Sequence, residues 1–214
     1  QSDLNDLGMH TELCSDAYLS MYRAGKLTNR KKNIDRGKGV FGCALGSLEL
    51  YEWLDDNHGI AAYPLEYVNR PSVIAQIDNM VSINSCVAVD LYGQVAAESA
   101  GARQISGTGG QLDFLIGASA SRGGKAFICM SSVHTDRHGG KHSRIKPQFD
   151  GDIITSPRSQ VYFLATEYGV INLEGRSTWE RAEALISIAH PDFRDMLVRE
   201  AQERKIWRRS NKRG

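Results

Sequence analysis

From Met80 to Leu91 apolar and polar residues alternate in a run rich in valine and isoleucine, Tyr92-Gly93 interrupts it, and Gln94 to Glu98 resumes it. A period of two fits a half-buried strand and a glycine in the break fits a turn, so the stretch is predicted as strand, turn, strand. Helical patterns share the chain with it. Ser177-Thr-Trp-Glu180 is a capping box, and Ala182, Leu185, Ile186 and Ala189 recur behind it at helical spacing. A helix is predicted from Ser177 to about His190, and Pro191 opens another through Phe193, Leu197, Val198 and Ala201. Strands interleaved with helices give an α/β class, expected as an open, mixed or mostly parallel sheet flanked by helices.

The rest of the chain fits that frame. Asp6 to Leu13 alternates as a strand and ends before Ser15-Asp16, an N-cap for Ala17 to Ala24. Glu12 therefore sits where a strand meets a helix. Lys26 to Lys38 reads as a basic loop, Gly39 to Gly46 as a buried strand, and Ser47 as the cap of a helix Leu48 to Asp55. Tyr63 to Asn69 reads as a connector, with a brief helix after Pro71. Further strands are expected at Lys125 to Met130 and Val161 to Thr166, with a proline-limited edge strand at Ser143 to Pro147. Ser131 to His142 reads as a polar loop. No repeat and no enforced domain boundary is visible.

With 214 residues, 41% of them apolar, the chain can bury a real core. Its formal charge is +1, yet Arg204, Lys205, Arg208, Arg209, Lys212 and Arg213 crowd its end without an acid, so the preceding residues are net negative. Such a tail reads as a solvated extension rather than a nucleic-acid contact. Cys14, Cys43, Cys86 and Cys129 are far apart and form no C-x-x-C pair. They read as small core residues of a reduced, cytoplasmic protein. No apolar run approaches the roughly 20 residues of a membrane span, and no signal-peptide pattern opens the chain. It opens without Met and enters patterned sequence almost at once, as a piece of something longer would.

Three groups of residues invite a chemical reading. The first is Gly101 to Phe114, where Gly107, Gly109 and Gly110 lead into an apolar helix-compatible run. It reads either as a cradle whose N–H groups face an oxyanion or phosphate, or as a flexible surface loop; it matches neither a P-loop nor G-x-G-x-x-G. Glu12 and Glu167, each ending an apolar strand, form the second. Acids there face the usual ligand crevice of an α/β sheet, and they also serve as caps and salt-bridge partners. Asn84, polar among apolar neighbours, is the third. His134, His138 and His142 recur every fourth residue, but Gly139-Gly140 breaks the helix that would align them as metal ligands, so a solvated loop is expected. No Ser-x-Gly elbow or H-E-x-x-H motif is present.

Taken in order, Asp6-Leu-Gly-Met-His-Thr-Glu12, Asn79-Met-Val-Ser-Ile-Asn84-Ser, Val89-Asp-Leu-Tyr-Gly-Gln-Val95, Gly107-Thr-Gly-Gly-Gln-Leu-Asp-Phe114, Thr166-Glu-Tyr-Gly-Val170 and Arg181 to Phe193 resemble the C-terminal half of the acetyl-CoA hydrolase/transferase family. The family includes CoA-transferases that use acetate, butyrate and 4-hydroxybutyrate. The resemblance implies residues 1–203 as the C-terminal catalytic domain of a two-half enzyme, with 204–214 as a basic tail. It implies Glu12 as the nucleophile, Asn84 as the active-site asparagine, Gly109 and Gly110 as donors to the thioester oxygen, and Glu167 as a second glutamate near the site. Gly107, Gly109, Gly110, Ser143 and Arg144 are implied as contacts of CoA. Between Ser132 and His142 the chain departs from the pattern, being longer and histidine-rich.

The chemistry so implied is covalent. A carboxylate attacks an acyl-CoA thioester, and the thiolate released then attacks the glutamyl carbonyl, leaving a glutamyl-CoA thioester that a second acid resolves. Coenzyme A enters as substrate and no metal is called for. Access of water would turn the same residues into an acyl-CoA hydrolase. The expected partners are acyl-CoA, short-chain carboxylates, the N-terminal half of the enzyme and further copies of the chain in a homo-oligomer. A binding module with a basic tail is the reading from another class, and it would have no use for a nucleophile.

Overall fold

The computed structural model describes residues 3–206, so most of the basic tail, with Arg208, Arg209, Lys212 and Arg213, lies outside the described residues. Its first sheet joins β1 (His10–Cys14), β2 (Gly39–Ala44) and β3 (Ile60–Ala62) in the order β1-β2-β3, all parallel. The crossovers carry α1 (Asp16–Arg23) and α2 (Leu48–Leu54), as right-handed β-α-β connections require a helix between parallel neighbours. Ser47 caps α2 through a bond from Leu50 N–H to its hydroxyl. Met9, Cys14, Leu19, Leu27, Phe41 and Leu50 form the core here, with Trp53 and Ile60 packed against it.

After β3, α3 (Leu65–Val68) packs over β1 and β2, and α4 (Pro71–Ile74) follows with its proline in the first turn. The sequence reads 63–69 as a connector; four residues are too few to show helical periodicity. Contacts divide the chain into two compact units, one of residues 1–80 with 116–125, the other of 81–115 with 126–214. The division falls within α5 (Gln111–Ala120). In the first unit α5 needs Gly117: a Cβ there would lie 2.5 Å from Cβ of Ile74.

The run Met80 to Leu91 is not one strand. It splits into β4 (Val81–Ser85) and β5 (Ala88–Asp90), which lie in different sheets. The predicted turn holds: β5 pairs antiparallel with β6 (Val95–Ala96), and Gly93 adopts a φ of +88°. Fully buried Asp90 fastens that turn, accepting from the N–H groups of Tyr92 (3.1 Å) and Gln94 (2.9 Å) and from the Gln94 amide (2.7 Å). β7 (Ser99–Ala100) and β8 (Arg103–Gln104) form a small hairpin that turns at Gly101-Ala102 and leads into the rest of the glycine loop.

The larger sheet of the second unit has the order β14-β13-β9-β4, with β9 (Lys125–Cys129), β13 (Phe163–Thr166) and β14 (Gly169–Asn172). β9 and β13 run parallel; β13 and β14 are an antiparallel hairpin. β14 is not visible in the sequence pattern, because Glu167-Tyr168-Gly169 reads as the end of a strand rather than a turn between two. Ser131 to His142 is likewise more than a loop: β10 (Val133–Thr135) and β11 (Lys141–Ser143) pair antiparallel around it. β12 (Ile145–Lys146) is the expected edge strand, parallel to β5. α6 (Thr178–Ser187), with its complete capping box, packs on β14 and on α7 (Pro191–Glu203). The α/β class stands, built from separate sheets rather than one.

Cys14 and Cys86 are buried and Cys129 is half-buried, as small core residues should be, but Cys43 is exposed. Its position near the end of β2, past the buried run Gly39 to Phe41, explains the difference. Among the described residues no helix is long and apolar enough to cross a membrane.

Candidate functional site

Glu12 belongs to the first unit, in the middle of β1, half-buried. Alternation along the strand places His10 and Glu12 on one face. Both reach the end of α3: the ring Nε2 of His10 lies 2.8 Å from the carbonyl of Val68, and the amide Nδ2 of Asn69 donates to Oε2 of Glu12 at 2.9 Å. Burial pushes the His10 pKa below its ordinary value against the raising effect of the Val68 carbonyl, which keeps the ring neutral at pH 7. The close approach of α3 rests on Gly42. A Cβ there would run into Leu65 and lie 3.3 Å from the carbonyl oxygen of Glu12.

The other candidates all belong to the second unit. Asn84, on the edge strand β4, has its amide Nδ2 buried without a hydrogen-bond partner among the described residues. An unpaired buried donor is uncommon and calls for an explanation, a ligand being one. The glycine loop is exposed from Ala102 to Gly109 and becomes buried at Gly110. Gly109 adopts a φ of +55°, and the carbonyl of Gly110 accepts from Phe114 N–H at 3.0 Å, which starts α5 directly behind the loop. Backbone N–H groups at such a start have positive character.

Glu167 lies in the tight turn between β13 and β14. Its Oε2 accepts from Ser132 N–H at 2.8 Å and its Oε1 from the Ser132 hydroxyl at 2.6 Å. Desolvation raises its pKa, but the bonds from Ser132 outweigh it and the carboxyl titrates below its ordinary value. The acid thus ties together the chain segments that leave the parallel strands β9 and β13.

Ser143 and Arg144 line a cleft of about 420 Å³. Lys141, His134 and His142 also line it, and its apolar lining includes Val87, Phe193 and Met196. Lys146, another lining residue, is neutralised by Asp152 at 2.8 Å. Half-buried Arg144 and exposed Lys141 make no ion pair among the described residues, so the cleft carries net positive charge. The Ser143 hydroxyl is engaged locally, donating to the carbonyl of Ile145 and accepting from its N–H.

The histidine periodicity belongs to the hairpin. His134 and His142 stack across β10 and β11 with ring centroids 4.9 Å apart. Asp136 organises the turn, bonded to His142 at 2.8 Å and to the N–H groups of Gly140 and His138, which together hold its carboxyl down to about 2. Among the described residues no cluster of three potential ligands has the geometry to hold a metal. Asn69 is the residue that sequence reasoning passes over. Its one signal is a polar residue two positions before Pro71, at the end of a short helix.

Comparison with known proteins supplies the family. The C-terminal domain model of acetyl-CoA hydrolase/transferase matches residues 46–201. The chain is 52% identical over 213 residues to the butyryl-CoA:acetate CoA-transferase of Anaerostipes caccae, covering 99% of this chain and 48% of that protein. It superposes on RipA from Yersinia pestis with a TM-score of 0.89 at 44% identity, covering 95% of this chain and 46% of that one. For the 4-hydroxybutyrate CoA-transferase of Porphyromonas gingivalis the TM-score is 0.77 at 41% identity, over 94% and 46%. The chain spans about half the length of the relatives it matches. It belongs to the acetyl-CoA hydrolase/transferase family, whose C-terminal domain its residues 46–201 match.

Proposed function

We propose that the chain carries the nucleophilic half of a CoA-transferase that moves CoA between short-chain carboxylic acids through a glutamyl-CoA thioester on Glu12. The observation that carries this reading is the amide of Asn84, whose Nδ2 is buried without a hydrogen-bond partner among the described residues, in the residue that the family resemblance assigns to the active site. A thioester oxygen that becomes an oxyanion is the acceptor such a donor suits.

In this reading the Glu12 carboxylate attacks the thioester carbon of acyl-CoA and CoA thiolate leaves. The thiolate then attacks the glutamyl carbonyl of the mixed anhydride, releasing the first acid. The second acid runs the steps in reverse. Division into two transfers keeps the thioester energy on the enzyme, as glutamyl-CoA, while the first acid leaves. Gly109 and Gly110 serve the thioester oxygen with Asn84, an effect of about 3–4 kcal/mol per donor in comparable sites. Glu167, with both oxygens bonded to Ser132, acts by charge and position rather than by attack. The cationic cleft of Arg144 and Lys141 suits the phosphates of CoA, and Gly107 of the exposed glycine loop is a further contact that the family resemblance implies.

The family model names hydrolases as well as transferases. Hydrolysis uses the same residues and differs in admitting water to the anhydride or the thioester. The deciding experiment incubates the full-length enzyme with acyl-CoA and measures the mass of the peptide containing Glu12. A CoA-sized adduct in wild type, absent in Glu12→Gln, is expected. Near-normal transfer by Glu12→Ala would overturn the assignment.

A further inference from the structure

We infer that Ser156 is a positioning residue of the glycine loop, acting through Gln111, and this rests on the reading of Gly109 and Gly110 as donors to the oxyanion. With its neighbour Thr155 it holds the loop from both flanks.

From Ala102 to Gly109 the loop is exposed, and at Gly110 and Gln111 the chain becomes buried again. What fixes the loop therefore lies at its ends. On the entry side Glu98 is buried, and its carbonyl accepts from the N–H groups of Ile105 at 2.8 Å and Ser106 at 3.3 Å. The Glu98 carboxylate accepts from the Thr155 hydroxyl at 3.1 Å, and that hydroxyl accepts from Ala97 N–H at 2.9 Å. On the exit side Gln111 is the first residue of α5, and its amide Nε2 donates to the Ser156 hydroxyl at 3.1 Å. Two consecutive hydroxyls thus grip the residues before and after the loop. Ser156 is as fixed as the core: it is fully buried and exchanges both backbone bonds, each 3.1 Å, with Val95, itself fully buried in β6.

Packing alone gives no reason for an amide at Gln111. An apolar side chain would fill the same buried place without desolvating polar atoms, so what the amide adds is a directional bond. That bond orients the residue joined directly to Gly110. Gly109, at a φ of +55°, and Gly110 have the widest backbone freedom of any residue type, so the direction of their N–H groups has to be imposed from outside. Ser156 imposes it, by tying Gln111 to a core strand. A misplacement of about 1 Å can cost about 10²-fold in rate even when it originates away from the reacting atoms.

The test uses full-length enzyme. Ser156→Ala removes the hydroxyl and keeps both backbone bonds to Val95, and Gln111→Met removes the amide at similar size. Each is expected to lower kcat about tenfold with acyl-CoA KM within about threefold, and to slow appearance of the CoA adduct on the Glu12 peptide to the same degree. The double variant is expected to be no slower than the slower single variant, because both substitutions cut one bond. Reading that bond from either end decides the matter should one variant not fold. Gly110→Val, measured alongside, separates the two levels of the reading. If it is slow, then a lowered urea midpoint with wild-type kcat in either single variant, a raised KM at unchanged kcat, or losses that multiply in the double variant would overturn the role of Ser156 alone. Wild-type kcat in Gly110→Val would overturn the loop as oxyanion donor and this inference with it.

Discussion

Ser132 gives both of its donors to Glu167, the backbone N–H to one carboxylate oxygen at 2.8 Å and the hydroxyl to the other at 2.6 Å. Ser132 is fully buried and lies three residues past the end of the parallel strand β9, while Glu167 follows its neighbour β13. The pair therefore fixes where two strand ends deliver the chain. Because these bonds favour the ionised form, the folded carboxyl titrates below its unfolded value near 4.5. The unfolded chain takes up the proton first as pH falls. The stabilisation is whole above pH 4.5 and is lost below it. Glu167→Gln is expected to lower the urea midpoint at pH 7, with the gap to wild type closing toward pH 3. Ser132→Ala should cost about 1 kcal/mol, since the exposed carboxylate can turn to water. A gap that persists at pH 3 would assign the effect to shape rather than charge.

Lys32 offers a titration of opposite sign. Its ammonium is buried and donates to the carbonyls of Met9 at 3.0 Å and Lys38 at 2.7 Å, and desolvation pulls its pKa down to about 8. Between pH 8 and the unfolded value near 10.5, the unfolded chain binds a proton that the folded chain has released. Stability from this group is therefore lowest below pH 8 and rises across that window, by about 1.4 kcal/mol for each unit of pH. Lys32→Met removes the rise. Amide exchange of β1 and β2 residues, compared between wild type and variant from pH 7 to 10, should show protection diverging upward in wild type alone.

How much of this was legible beforehand depended on where the information lay. Periodicity disclosed α6 and α7 because their apolar faces run over ten or more residues behind explicit caps, and it disclosed the β5–β6 turn because Asp90, Gly93 and Gln94 encode it locally. It could not disclose α3, a single turn set by packing of Leu65 over Gly42. Nor could it show that Met80 to Leu91 divides between two sheets, since alternation continues through Cys86 and Val87 while the pairing partners change. The candidate site divides in the same way. Sequence blocks suggest Glu12, Asn84 and the glycine loop as candidates, whereas the contact of Asn69 with Glu12 becomes visible only when residues 57 positions apart are brought within 2.9 Å.

The glycine loop separates catalysis from binding. Gly110 is the buried end of an exposed loop, and its carbonyl opens α5. On the proposed reading, in which the loop's N–H groups face the oxyanion, a bulkier residue there shifts them from it, which affects the transition state more than the ground state. A lost oxyanion donor typically lowers kcat by about 10²–10³. Gly110→Val, in full-length enzyme shown to be folded, is expected to lower kcat at least about tenfold with a smaller change in acyl-CoA affinity and a slower Glu12 adduct. Wild-type kcat with weakened CoA binding would make the loop a clamp instead.

Arg144 supplies the contrasting case, in which binding should change and chemistry should not. Its guanidinium is half-buried and makes no ion pair among the described residues, yet it lines the cleft with Lys141 while the neighbouring Lys146 is held by Asp152. A half-buried cation without an anion is poised for one, and a phosphate of CoA would be bonded equally before and during reaction. Loss of such uniform binding raises KM and leaves kcat alone. A charge-assisted bond is worth about 1.5–3 kcal/mol, so Arg144→Gln should raise the KM for acyl-CoA by roughly tenfold or more while kcat stays within about twofold. The variant should also respond less steeply to added salt, because one screened contact has gone. If kcat falls instead and KM holds, Arg144 acts on the reacting groups and the cleft is not where the phosphates bind.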